Sequence, residues 1–133
     1  MNARHVSVLI LYDGHGRILL QHRTADAPSF PDYWGLFGGG IEDGETPEQA
    51  VKREILEELA YHLRHARRVT GRQFVRSGVA YTMHVFAEKY DGSPLTLGEG
   101  QGMKWFLPQE TAPLKMVEHD RDVILSLAAE IRA

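Results

Sequence analysis

Cysteine is absent from all 133 residues. That excludes disulfides, thiolate metal sites and a cysteine nucleophile, and it argues against a disulfide-stapled secreted domain. Long hydrophobic runs are absent too. The apolar stretch near the N-terminus is about six residues long, short of the roughly 18 that a membrane-spanning helix needs. It ends at a turn and carries no small-residue cleavage site, so a cytoplasmic chain is the default expectation. Nor is there an excess of positive charge. Fifteen Lys and Arg stand against eighteen Asp and Glu, a net of −3. No basic field therefore points to non-specific nucleic-acid or membrane binding, and neither is expected as a partner. No internal repeat or low-complexity segment is visible.

What remains is an ordinary globular composition, 43% apolar and 25% charged, at a length that suits one domain over residues 1–133. His5 to Tyr12 is apolar and β-branched, and Gly16 to Arg23 follows across the turn Asp13-Gly14-His15-Gly16. Those turn residues tolerate positive φ and predict a hairpin. Pro28 and Pro31 make 24–33 a loop. Trp34 to Phe37 is a short apolar piece leading into Gly38-Gly39-Gly40. A helix is expected from Pro47 to about Ala60. Thr46 suits its N-cap, Pro47 its first position, and Gln49 completes a capping box. Arg68–Arg76 and Val79–Tyr90 predict a second hairpin about Ser77-Gly78, Lys104–Leu107 a short strand, and Glu118–Arg132 a terminal helix. Hairpins interleaved with helices imply an α/β fold, a mixed sheet with a helix on each face.

The predicted first helix carries the chemistry. Val51, Ile55 and Leu59 recur every fourth position and form one apolar stripe. Glu54, Glu57 and Glu58 share an arc of ~100° at the edge of that stripe, given ~100° per residue. Like charges so placed repel by ~0.2–0.5 kcal/mol per pair. A divalent cation reverses that cost, and hard oxygen donors suit Mg²⁺ or Mn²⁺. The glycines enter the N-terminus of the same helix, where backbone N–H groups favour phosphate.

Gly39, Glu45, Arg53, Glu54, Ile55, Glu57 and Glu58 stand at spacings that resemble the Nudix box, G-x5-E-x7-R-E-U-x-E-E-x-G-U. Two positions depart, Ala60 for the second glycine and Tyr61 for the last aliphatic residue; Ala60 implies a longer helix or a strained exit. Arg23-Thr24-Ala25-Asp26-Ala27 and Glu99-Gly100-Gln101 followed by Trp105 extend the likeness to the compact MutT type, with Leu36-Phe37-Gly38-Gly39 lacking that type's proline. The resemblance implies an α/β/α sandwich, a small-molecule nucleotide substrate and Mg²⁺ or Mn²⁺. It also implies hydrolysis of a nucleoside triphosphate, including oxidised purine nucleotides, to the monophosphate and pyrophosphate.

Several roles follow on that basis. Glu57 and Glu58 are the expected metal ligands, and Glu54 a ligand or the base that deprotonates water. Arg53 orients Glu54 through a bidentate contact. The resemblance adds the Gly38 carbonyl as a ligand and Glu99 as a late carboxylate, ligand or base, on a glycine-rich loop able to swing over the metals. Glu88 is the runner-up for that role. Glu45 is expected to tether the glycine loop. Arg23 and Gly39 are expected at the phosphates, and Asp120 at the base. Tyr33, Trp34 and Phe37 read more readily as core than as base-flanking rings. His22, His84 and His119 have positions from which to line a cleft, and none is chosen. The alternatives are a hydrolase of linked nucleoside diphosphates, such as nucleotide sugars or dinucleoside polyphosphates, and a non-catalytic binding module, which intact box glutamates disfavour. Isomerase chemistry of this superfamily needs a cysteine. A homodimer is compatible with the family, and the residues do not decide it.

Overall fold

The sheet is built on β1 (Ala3–Tyr12). In the computed structural model, which describes residues 3–131, β1 pairs in parallel with β6 (Val79–Lys89) along its whole length. Its other edge is divided between two partners. β2 (Ile18–His22) meets it only at Tyr12, and β4 (Phe37–Gly40) takes Val6 to Leu9. The division begins at the predicted turn. The Asp13 carboxylate accepts from the N–H groups of His15 and Arg17, and Gly16 takes φ 78°. β2 then leaves β1 to pair with β3 (Trp34–Gly35) and β7 (Gly102–Phe106). The vacated edge of β1 receives the glycines. Gly38 adopts φ 145°, and a Cβ there would land on the carbonyl oxygen of Ser7, so only glycine fits. β5 (Arg67–Arg76) pairs with β6 through the predicted hairpin, whose Ser77 and Gly78 both take positive φ, and it forms the sheet edge.

α1 (Pro47–Leu59) begins with the full capping box: the Thr46 hydroxyl accepts from the Gln49 N–H, and the Gln49 side chain accepts from the Thr46 N–H. The Ser7 hydroxyl donates to the Pro47 carbonyl and fastens that end to β1. Val51, Ile55 and Leu59 are fully buried against Leu9, Leu11, Phe37 and Phe86. Burial of such side chains stabilises by ~1.5–3 kcal/mol each. The opposite face of the sheet presents Val8, Ile10, Met83 and Val85 to Val123, Ile124, Leu127 and Ile131. These come from α2 (Glu118–Ser126), α3 (Ala128–Ile131) and Leu127 between them. The architecture is the expected α/β/α sandwich around a mixed sheet. No helix among the described residues is long and apolar enough to cross a membrane.

Strand ends shift by a residue or two, β7 to Gly102–Phe106 and β2 to Ile18–His22, and three further boundaries differ for reasons the contacts show. Trp34–Phe37 is two strands, because Leu36 turns its N–H out of the ladder to the Asp120 carboxylate, 3.0 Å away. The terminal helix breaks at Leu127, where the Ser126 hydroxyl donates to the Val123 carbonyl and competes with the helical bonding; Arg132, its expected end, lies outside the described residues. α1 stops at Leu59. Ala60 caps it in the left-handed conformation, φ 53° and ψ 35°, its N–H donating to the Leu56 carbonyl. The exit is therefore the strained one, at the position where the motif has glycine. Left-handed backbone costs a residue bearing a Cβ ~1–2 kcal/mol, and glycine loses part of that relief through its looser unfolded chain. Ala60→Gly should raise unfolding stability by about 0.5–1 kcal/mol in urea titrations.

Candidate active site

A cleft of about 350 Å³ opens where β4, the middle of α1, the β5–β6 hairpin and the start of α2 converge. Arg23, Gly38, Gly39, Glu54, Glu58, Glu99 and Asp120 all line it. Seven of the nine residues expected from the sequence thus meet in one cavity; Arg53 and Glu57 lie outside it.

Arg53 organises the floor. Its guanidinium donates twice to Glu45, from Nε at 2.7 Å and from the second terminal nitrogen at 2.9 Å, and to the Gly40 carbonyl at 3.0 Å. A single bond of 2.8 Å reaches Glu54. The bidentate contact therefore joins Arg53 to Glu45 rather than to Glu54, because Glu45 sits on the loop side of the fork. This is the tether expected of Glu45. Those bonds and the Glu42 N–H hold the Glu45 carboxyl down at about 2.

Glu54 lies directly on Gly39. A Cβ at position 39 would approach its carboxyl carbon to 2.6 Å, so the glycine is the space that the carboxylate occupies. Burial raises the Glu54 pKa, against the pull of Arg53. Glu58 is 4% exposed, and its Oε1 accepts from the Gly38 N–H at 2.9 Å. Burial, then the neighbouring charges of Glu54 and Glu99, push its carboxyl up to about 8. Gly38 thus meets the carboxylates through its N–H, a contact different from the carbonyl ligand that the resemblance implies.

Glu57 departs from expectation. Its side chain is 60% exposed and rests 3.5 Å from Arg53, on the solvent side of the turn. Among the described residues no three carboxylates or histidines stand close enough to cage an ion. Mutual repulsion and the pull of Arg53 account for the spread. The donor set nevertheless fits a hard divalent cation. It consists of carboxylate oxygens, one deeply desolvated and holding its proton until a positive charge replaces it, another seated in a cradle free of any Cβ.

The Glu99 loop is not free to swing as its glycines suggest. Thr96 and Gly98 donate their N–H groups to the Leu59 and Glu58 carbonyls, and the Gln21 amide donates to the Glu99 carbonyl at 3.1 Å. Glu88 is excluded from the site. It is buried and accepts from the N–H groups of Arg64 and His65. Arg23 donates to the Ser29 carbonyl while lining the cleft.

Of the walls, only His119 stood among the cleft candidates of the sequence. Phe30, Phe74, Tyr81 and His119 form them, whereas Phe37 is core and Trp34 stacks on His22. Phe74 lies between His119 at 4.0 Å and Tyr81 at 5.0 Å, both nearly parallel to it. Arg76 sits over the Phe30 ring at 4.2 Å. The one available signal was the hairpin register, which sets Phe74 opposite Tyr81. At the far end Asp120, 6% exposed, accepts from the Leu36 N–H; burial lifts its carboxyl to about 7.

Comparison with known proteins bears on this geometry. A family model for the NUDIX domain matches residues 1–127. An RNA pyrophosphohydrolase of Shewanella woodyi is 37% identical over 76 residues, 57% of this chain and 41% of that protein. The nucleoside triphosphatase NudI of an Enterobacter strain is 45% identical over 53 residues, 40% of this chain and 38% of its own. The chain spans about two fifths of the length of these two curated relatives. A crystal structure of a MutT NUDIX hydrolase from Burkholderia pseudomallei superposes with a TM-score of 0.80 at 25% identity, over 100% of both chains. The chain belongs to the NUDIX domain family.

Asp120 gives the site a pH signature. Its folded pKa, about 7, stands above the ordinary value of 3.8, so the native state holds a proton that the unfolded chain releases. Its contribution to stability is present below about pH 4 and is lost as pH rises through 7. Asp120→Asn keeps an oxygen acceptor for Leu36 and has no charge to bury. Thermal unfolding should show the variant equal to the parent at pH 4 and higher by a few degrees at pH 8.

Proposed function

We propose that the protein is a divalent-cation-dependent pyrophosphohydrolase, cleaving a nucleoside triphosphate to the nucleoside monophosphate and pyrophosphate. The observation that carries this reading is the union of two surfaces in one cleft: desolvated carboxylates beside a glycine loop, and an aromatic-walled chamber of nucleobase size. Pockets of ~300–1,000 Å³ hold ligands of that kind. One relative, the nucleoside triphosphatase NudI, acts on this substrate class by its name.

Glu54, Glu57 and Glu58, with Glu99 across the cleft, would hold Mg²⁺ or Mn²⁺. When bound, such an ion lowers the pKa of its water and offsets charge on phosphate oxygens. The chain's own residues do the rest. Arg53 fixes Glu54, which accepts the proton of the attacking water with a basicity raised by burial. Water oxygen bonds to phosphorus, the anhydride P–O bond breaks, and the electron pair leaves on the departing phosphate. Arg23 faces the charge that develops there. Glu99 is the second candidate for the proton. The aromatic wall of Phe30, Phe74, Tyr81 and His119 flanks the base, and Asp120 meets its polar edge.

Incubation with Mg²⁺ and a panel of nucleoside triphosphates, nucleotide sugars and dinucleoside polyphosphates, followed by mass spectrometry, should yield monophosphate and pyrophosphate from the first class. Turnover confined to linked diphosphates would overturn the substrate assignment. Gly39→Ala displaces the Glu54 carboxylate and should lower kcat on the order of 100-fold with near-ultraviolet circular dichroism unchanged. Glu58→Gln should fold at least as stably as the parent at pH 8, while kcat falls about 100-fold or more.

A further inference from the structure

Gln101 is exposed and belongs to neither hydrophobic core, yet its side-chain amide joins separate segments beside the cleft. Nε2 donates to the Arg23 carbonyl at 2.6 Å and to the Asp32 carboxylate at 2.9 Å. Two hydrogens meet two acceptors, so the amide nitrogen is fully used. The Gln101 backbone N–H donates to the His22 carbonyl at 2.8 Å. Glu99 stands two residues upstream, its own carbonyl held by the Gln21 amide. One residue thus fastens the end of β2, the loop 24–33 and the Glu99 segment to one another.

The loop needs such a hold. Phe30 and Asp32 take φ 49° and 64°, a backbone conformation that residues bearing a Cβ rarely adopt. Its base is closed by the Arg23 N–H on the Tyr33 carbonyl and the Asp32 N–H on the Thr24 carbonyl. Its tip presents Ser29 and Phe30 to the cleft. The Ser29 carbonyl accepts from Arg23 Nε at 2.9 Å and so aims the guanidinium. His22, stacked on Trp34, reaches the Asp32 carbonyl at 3.1 Å and adds a second tie at the same place. A shift at Asp32 therefore carries Ser29 with it, and with Ser29 the direction of Arg23.

We propose that Gln101 is a positioning residue: it touches no substrate, and its amide sets the Arg23 guanidinium against the Glu99 carboxylate by clamping the loop 24–33 onto the Glu99 segment. This rests on the pyrophosphohydrolase reading, which gives Arg23 and Glu99 their work at the phosphates. An intact anhydride carries little of the charge that the departing phosphate acquires. A misaimed Arg23 therefore costs turnover more than it costs substrate binding.

Gln101→Met keeps the length and neutrality of the side chain and removes the donor. On whichever common nucleoside triphosphate the parent turns over fastest with Mg²⁺, the variant should show kcat lower by about tenfold and KM within about threefold. Isothermal titration with inorganic pyrophosphate and Mg²⁺ needs no turnover and should show binding weaker by about tenfold, because that product bears the full charge. The melting temperature should stay within about 3 °C, since the backbone bond to His22 survives. In an Arg23→Ala background the same change should add little, as expected of two residues that act through one contact. Values within twofold of the parent in both assays overturn the proposal, and so does a loss that adds in full to that of Arg23→Ala. A large drop in melting temperature with kcat and KM equally impaired makes Gln101 a structural prop and overturns it too. In each of these cases turnover by the parent leaves the hydrolase reading standing. Pyrophosphate binding that depends on Gln101 and Arg23, without turnover of any nucleoside triphosphate, keeps the clamp and defeats the hydrolase reading. Neither binding nor turnover by the parent defeats both.

Discussion

One guanidinium ties the catalytic half of this molecule together. Arg53 sits mid-helix, and its donors reach backwards to Glu45, sideways to Gly40 and forwards to Glu54. A lysine has no fork with which to make these contacts at once. Through them the loop 40–46, which has little apolar surface to hold it, is fixed to the helix. The glycines of β4 are held on the other side by β1. The cleft floor is therefore a strand, a loop and a helix locked by one cation and one ladder. The exposed ion pairs elsewhere, such as Lys52 with Glu48 at 3.9 Å, contribute little by comparison.

That rigidity has an electrostatic consequence. Glu58 is buried at the floor of the cleft, beside Glu54 and Glu99 and with one N–H to receive its charge, so the fold holds a carboxyl that resists ionising in ordinary water. A divalent cation supplies what the protein withholds. The arrangement also divides the box glutamates by burial: Glu58 inside, Glu54 at the boundary, Glu57 in solvent. Identical side chains three and four residues apart thus start from different states before any ligand arrives.

Local rules explain what could be read in advance. The capping box, the four-residue apolar stripe and the spacing of the glutamates depend on neighbours in sequence, and α1 formed as those neighbours dictate. The tether made by Glu45 was legible the same way. The features that escaped depend on distant partners. Leu36 bends because of a carboxylate 84 residues away. Glu88 could be rejected only once Arg64 and His65 were seen to claim it. The cleft walls come from Phe30 in a loop, Phe74 and Tyr81 paired across the β5–β6 hairpin, and His119 on α2, three segments whose meeting no local pattern announces. Ala60 and Tyr61 fall between these cases. Tyr61 is buried and accepts from the Asp91 N–H, so an aromatic ring replaces the usual aliphatic contact and reaches the next loop as well.

The bonds from Thr96 and Gly98 onto the end of α1 have a bearing on how such a chain can vary. They close the last carbonyls of the helix, and they fix Glu99 one residue beyond an anchor to Glu58 itself. A Cβ at Gly98 would stand 2.7 Å from the Glu57 carbonyl, so the anchor tolerates no bulk. Upstream, 91–95 is a mostly exposed run whose length can drift without disturbing the cleft. An insertion before Leu95 falls upstream of both anchors, whereas one between Gly98 and Glu99 falls between the anchor and the carboxylate. The loop is a yardstick measured from its downstream end.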